Sequence, residues 1–67
     1  LICIGEDDPV RSASDVMARE LPGARQITFR ATGHSVPTLQ PAAFAREVLR
    51  FFADIEDGKP IAGARMV

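Results

Sequence analysis

Leu1-Ile2-Cys3-Ile4-Gly5 is an unbroken apolar run, and Glu6-Asp7-Asp8-Pro9 closes it. A strand with one wet face alternates apolar and polar residues. A run without alternation fits a strand buried on both faces, as in a parallel sheet. Pro9 biases Asp8 away from the helical region, so the run ends in a turn. Such a strand needs neighbours on either side and helices above and below, more than the rest of a 67-residue chain can supply. A chain of this size buries only about 60% of its unfolded surface. The run therefore reads as part of a larger α/β domain. The competing reading is a complete small domain in which this strand is a buried edge.

Outward from the run, Ser12-Ala13-Ser14-Asp15 reads as a helix start, with Ser12 as the cap and Asp15 three residues on. The predicted helix covers 12–21, places Val16, Met17 and Leu21 on one side with Met17 filling core, and stops at Pro22-Gly23. Residues 25–30 alternate: Gln26, Thr28 and Arg30 on one face, Ile27 and Phe29 on the other. That pattern predicts a second, half-buried strand. Two strands joined through a helix form a βαβ unit, with parallel strands and a right-handed crossover. Residues 31–37 read as a loop.

Pro41 suits the first position of a second helix, predicted over 41–56. Phe44, Val48, Phe51 and Ile55 recur at spacings of 4, 3 and 4, with Leu49 and Phe52 beside them. This is an amphipathic pattern with an aromatic-rich buried stripe. Arg46, Glu47, Arg50 and Asp54 fall elsewhere on the helix, and Arg46 and Arg50 read as a solvated face. Residues 58–67 show turn residues without periodicity and read as a frayed tail following a unit at 1–57.

Composition excludes several classes. Eight basic residues against nine acidic ones give a net charge of −1, which offers no footprint for nucleic acid or an anionic membrane. One cysteine permits no internal disulfide, and with one histidine it leaves too few soft ligands for structural zinc. No apolar run reaches the roughly 18 residues of a membrane helix. The expectation is a soluble, cytoplasmic α/β polypeptide. Cys3 reads as a small buried hydrophobe.

Two polar sites follow the two strands: Glu6-Asp7-Asp8 after the first, Gly33-His34 after the second. Ligands and catalytic groups gather at the carboxyl ends of strands in parallel sheets. If the strands are neighbours, a carboxylate from the first turn can hold His34 in one tautomer. That is the back half of a nucleophile–base–acid triad.

The ordered set Gly5-Glu6-Asp7-Asp8, the helix ending Leu21-Pro22-Gly23, Gly33-His34, Pro41 seven positions past the histidine, and Val48-Leu49-Arg50-Phe51-Phe52 resembles the C-terminal end of an α/β-hydrolase domain. The resemblance covers about residues 1–53. It implies a C-terminal β-α-β-α piece of a mostly parallel sheet, with Asp8 as the triad acid and His34 as the general base. Asp7 stands one residue from the family's step. The family order of nucleophile, acid and histidine implies a nucleophile and oxyanion donors upstream of Leu1. Neither Ser12, Ser14 nor Ser35 lies in a G-x-S-x-G elbow. Many members carry an acidic residue five positions after the histidine, where this chain has Leu39.

The resemblance implies hydrolysis of an ester or related acyl bond of a small molecule, carboxylesterase-like, with no metal or organic cofactor. The isolated 67 residues are expected to be inactive, and the rest of the domain is the expected partner. The same fold admits the dehalogenase and epoxide hydrolase branch, with an aspartate nucleophile. Two other classes remain: a non-catalytic fragment or small interaction module, and a phosphotransfer domain holding Mg²⁺ through Glu6, Asp7 and Asp8.

Overall fold

A computed structural model describes residues 1–67. Ile2–Gly5 forms β1, Arg11–Glu20 α1, Arg25–Phe29 β2, Val36–Leu39 a short α2, Pro41–Glu56 α3, and Gly63–Met66 β3. The strands make one parallel sheet in the order β1-β2-β3. The α/β class and the parallel β1–β2 pair agree with the reading of the sequence. No helix is long and apolar enough to cross a membrane.

Side chains alternate across a strand, so β2 presents two different faces. Ile27 and Phe29 point toward α3 and are fully buried. The Phe29 ring meets that of Phe44 on α3 with centroids 6.5 Å apart. Val36 on α2 completes this core, with Cys3, Ala43, Phe44 and Val67 packed against it. Burying a side chain of the size of Phe29 or Ile27 contributes about 1.5–3 kcal/mol. The opposite face of β2 carries Gln26 and Thr28, and α1 covers it. Gln26 Nε2 donates to Ser14 Oγ at 2.9 Å and to Asp15 Oδ1 at 3.0 Å.

This corrects the expectation of a half-buried β2. Gln26 and Thr28 are each only 7% exposed, and the Gln26 amide is tolerated there because α1 supplies two acceptors. The apolar side of α1 faces outward instead: Val16, Met17 and Leu21 are exposed, so Met17 is not core filler. The helix begins at Arg11 without a side-chain cap, which places Ser12 and Asp15 inside it rather than in a capping box. β1 has β2 on one side only and is accordingly less buried than its apolar run suggested. Ile4 and Gly5 are buried, Ile2 and Cys3 half-buried.

The segment expected to fray contains β3. Nothing apolar announces it, and all four of its residues are exposed. Backbone bonds hold it: Gly63 N–H to the Ala24 carbonyl at 3.1 Å, Val67 N–H to Thr28 at 2.9 Å, and Arg30 N–H to Val67 at 2.9 Å. The Arg65 guanidinium also reaches Glu47 of α3. Glu47 is 2% exposed, buried although it falls off the apolar stripe of the helix. On α3, Leu49, Phe52 and Ile55 are exposed, while Phe44, Val48 and Phe51 turn inward. Ile55 therefore drops out of the buried stripe.

The steps from β1 to β2 and from β2 to β3 run in one direction across the sheet, yet α1 and α3 lie on opposite faces. Two such crossovers must differ in hand. One of them departs from the right-handed rule that governs nearly all parallel connections.

Candidate active site

The site is built by two loops leaving the carboxyl ends of β1 and β2. They are laced together by the backbone. Glu6 N–H extends the sheet pairing to the Phe29 carbonyl at 2.9 Å, and Asp7 N–H reaches the Thr32 carbonyl at 2.9 Å. The Glu6 carboxylate accepts the Ala31 N–H at 2.8 Å. Ala31 sits at φ 52°, a left-handed conformation that is uncommon for a residue other than glycine. Thr32 is buried, its hydroxyl donating to the Arg30 carbonyl and accepting from the Gln40 amide.

Gly5 makes this lacing possible. A Cβ there would lie 2.1 Å from the Gly33 carbonyl oxygen and 2.2 Å from that of Thr32. Only a hydrogen fits where the end of β1 passes under the loop that carries His34.

Within this frame Asp8 and His34 meet. His34 Nδ1 lies 2.9 Å from Asp8 Oδ2. The other carboxylate oxygen, Oδ1, accepts the Val10 N–H at 2.9 Å, closing a turn over Pro9. The Asp8 side chain is 1% exposed and the His34 side chain 77% exposed. An ionised carboxylate only accepts, so Nδ1 carries a proton and Nε2 is directed away from Asp8. The Val10 N–H is the main cause that lowers the Asp8 pKa below its ordinary value of 3.8. The hydrogen bond and charge of His34 act in the same sense, against the opposing effect of burial. Asp8 therefore stays an anion, the form that orients an imidazole.

Both residues named from the sequence, Asp8 and His34, are thus brought together. Asp8 turns inward to His34, while Asp7 is exposed. The acidic triplet does not converge on a cation. Glu6 is bound to Ala31, Asp8 to Val10 and His34, and no group of three His, Cys, Asp or Glu side chains is placed to hold a metal ion. The Ser14 hydroxyl is engaged by Gln26, and burial pushes the Cys3 thiol up from its ordinary pKa, which disfavours a nucleophilic thiolate. Glu6 and Ala31 were not singled out as a pair by the sequence. Their contact depends on a left-handed alanine that no local motif signals.

Comparison with known proteins finds no matching family model, no matching curated protein and no matching solved structure.

Proposed function

We propose that the chain is the C-terminal β-α-β-α part of an α/β-hydrolase-type domain and supplies the acid and base of a catalytic triad. The carrying observation is the 2.9 Å contact between His34 Nδ1 and a buried Asp8, at the carboxyl ends of two adjacent parallel strands. Asp8 has no other anionic role to fill there, and its second oxygen is locked by Val10.

In this reading Nε2 of His34 removes the proton of a serine hydroxyl as its oxygen attacks the carbonyl carbon of a small ester. The C–O bond to the alcohol then breaks, and His34 returns the proton to the departing alkoxide. A water molecule, deprotonated by the same nitrogen, attacks the acyl group, and serine recovers its proton. Asp8 stabilises the imidazolium at each stage. The serine and the oxyanion donors would come from the remainder of the domain. Its strands would extend the sheet from the free edge of β1, and its surface would cover apolar residues such as Leu49, Phe52 and Ile55 that are exposed here.

The test is to read the coding DNA upstream of Leu1 and express the longer frame. The expected result is an in-frame G-x-S-x-G elbow, and ester hydrolysis that His34→Ala abolishes and Asp8→Asn reduces by about 10⁴-fold. An aspartate at the elbow centre moves the reading to the dehalogenase and epoxide hydrolase branch. A start codon close to Leu1 with no elbow refutes the hydrolase reading and leaves a small interaction module. Triad-dependent turnover by the 67 residues alone also overturns it.

A further inference from the structure

At the other end of the sheet a cavity of about 300 Å³ opens between α3, the start of β2 and β3. Three arginines line it, Arg25, Arg50 and Arg65, against a single carboxylate, Asp54. Arg25 has five N–H donors to place. Nε donates to the Ile61 carbonyl at 2.9 Å, and Nη2 serves the Pro60 carbonyl at 3.2 Å and Asp54 Oδ2 at 2.8 Å. Nη1 is buried and has no partner. The guanidinium is held by these contacts and by the Phe51 ring, whose centroid is 5.7 Å from its carbon. The guanidinium is therefore fixed with its charge at the cavity wall, while Nη1 itself lies out of reach of the cavity.

The lining carries more positive than negative charge. Asp54 pairs with Arg25, and Glu47 pairs with Arg65. Arg50 has no carboxylate within ion-pair distance. A cavity with one unmatched cation beside two fixed guanidinium groups attracts an anion bearing several acceptor oxygens, which arginine binds in a fork. Its volume sits at the small end of ligand pockets, room for a compact organic acid or a phosphomonoester rather than a large substrate.

We propose that this cavity binds the carboxylate or phosphate group of a small molecule, held by Arg50, with the positive charges of Arg25 and Arg65 beside it. The site lies at the amino end of β2, away from Asp8 and His34, and does not depend on the hydrolase reading.

Inorganic phosphate and acetate, each titrated into the protein expressed from the longer frame at constant ionic strength against chloride, test it. The readout is the side-chain Nε–Hε signals of the arginines in ¹H–¹⁵N spectra. The expected result is a saturable shift at Arg25 and Arg50 with a dissociation constant of about 1 mM or tighter. His34 signals should not follow it. Arg50→Gln, which removes no contact within the fold, should weaken binding about tenfold while backbone spectra stay unchanged. Tighter binding of phosphate assigns the group as phosphoryl, and tighter binding of acetate as carboxylate. Shifts that track chloride alone, or phosphate binding that survives Arg50→Gln unaltered, overturn the proposal.

Discussion

Replacing Gly5 by alanine should undo the frame that brings Asp8 to His34. The added Cβ would sit 2.1 Å from the Gly33 oxygen and 2.2 Å from the Thr32 oxygen, where ordinary contact begins at 3.4 Å. Both obstacles are backbone, and the Thr32 carbonyl carbon at 2.8 Å adds a third, so no side chain can swing aside. The loop has to move by more than a small adjustment. That movement strains the hydrogen bonds from Glu6 to Phe29 and from Asp7 to Thr32, both 2.9 Å. Overpacking of this kind costs about 1–3 kcal/mol, and each bond lost adds about 0.5–1.5 kcal/mol. A total on the order of 3 kcal/mol lowers the melting temperature of a domain this small by roughly 15 °C. Gly23→Ala meets nothing within 4 Å and Gly33→Ala only Leu39 Cδ1 at 3.8 Å, so they are the controls. Both should stay within about 0.5 kcal/mol of the parent. Circular dichroism melts and urea midpoints of the four proteins measure the differences. If Gly5→Ala melts within about 2 °C of Gly23→Ala, the close approach is not what holds the two loops together.

Asp8 should titrate below 3.8, because its anion accepts from Val10 and faces His34. A carboxyl lowered in the folded chain stabilises it at every pH above the unfolded value. That contribution fades as pH falls through the lower, folded value. A carboxyl ¹³C titration that puts the Asp8 midpoint at or above 3.8 contradicts the geometry. Asp8→Asn should remove this part of the acid sensitivity and turn the His34 tautomer, since the amide can present a donor to Nδ1. Imidazole ¹⁵N shifts distinguish the two tautomers, and an unchanged Nδ1–H form counts against Asp8 as the orienting group. Arg65→Ala leaves the Glu47 carboxylate, 3% exposed, without its cation and should cost about 2–3 kcal/mol. Adding Glu47→Met should recover most of that loss in urea midpoints, and a double variant no more stable than the single one refutes the explanation.

Much of the site was legible because its signals are local. Asp8 before Pro9 and His34 after Gly33 each end a strand with a clear pattern, and parallel pairing carries both to one end of the sheet. The buried stripe of α3 was legible only in part. Spacing groups Phe44, Val48, Phe51 and Ile55 on one side, but the helix end carrying Ile55 extends past the core. The burial of Glu47 and of Gln26 was not legible, for a common reason. Their side chains are polar, and burial became affordable only through partners distant in sequence: Arg65 for one, Ser14 and Asp15 for the other. β3 was invisible because Gly63-Ala64-Arg65-Met66 buries nothing, and backbone bonds leave no trace in side-chain pattern.

The amino-acid sequence by itself determined the order of β1, α1, β2 and α3, the parallel pairing of the first two strands, and the pair of residues that meet. Apolar periodicity and turn residues act within a few positions of the chain, and they specify these features without reference to the rest of the molecule. Tertiary structure alone decided that Gly5 must lack a side chain and that α1 and α3 take opposite faces. It also decided that three arginines converge on one cavity. Each of these depends on which surface covers a given face and where a backbone passes within a few ångströms of another, and periodicity along one strand or helix carries no information about either.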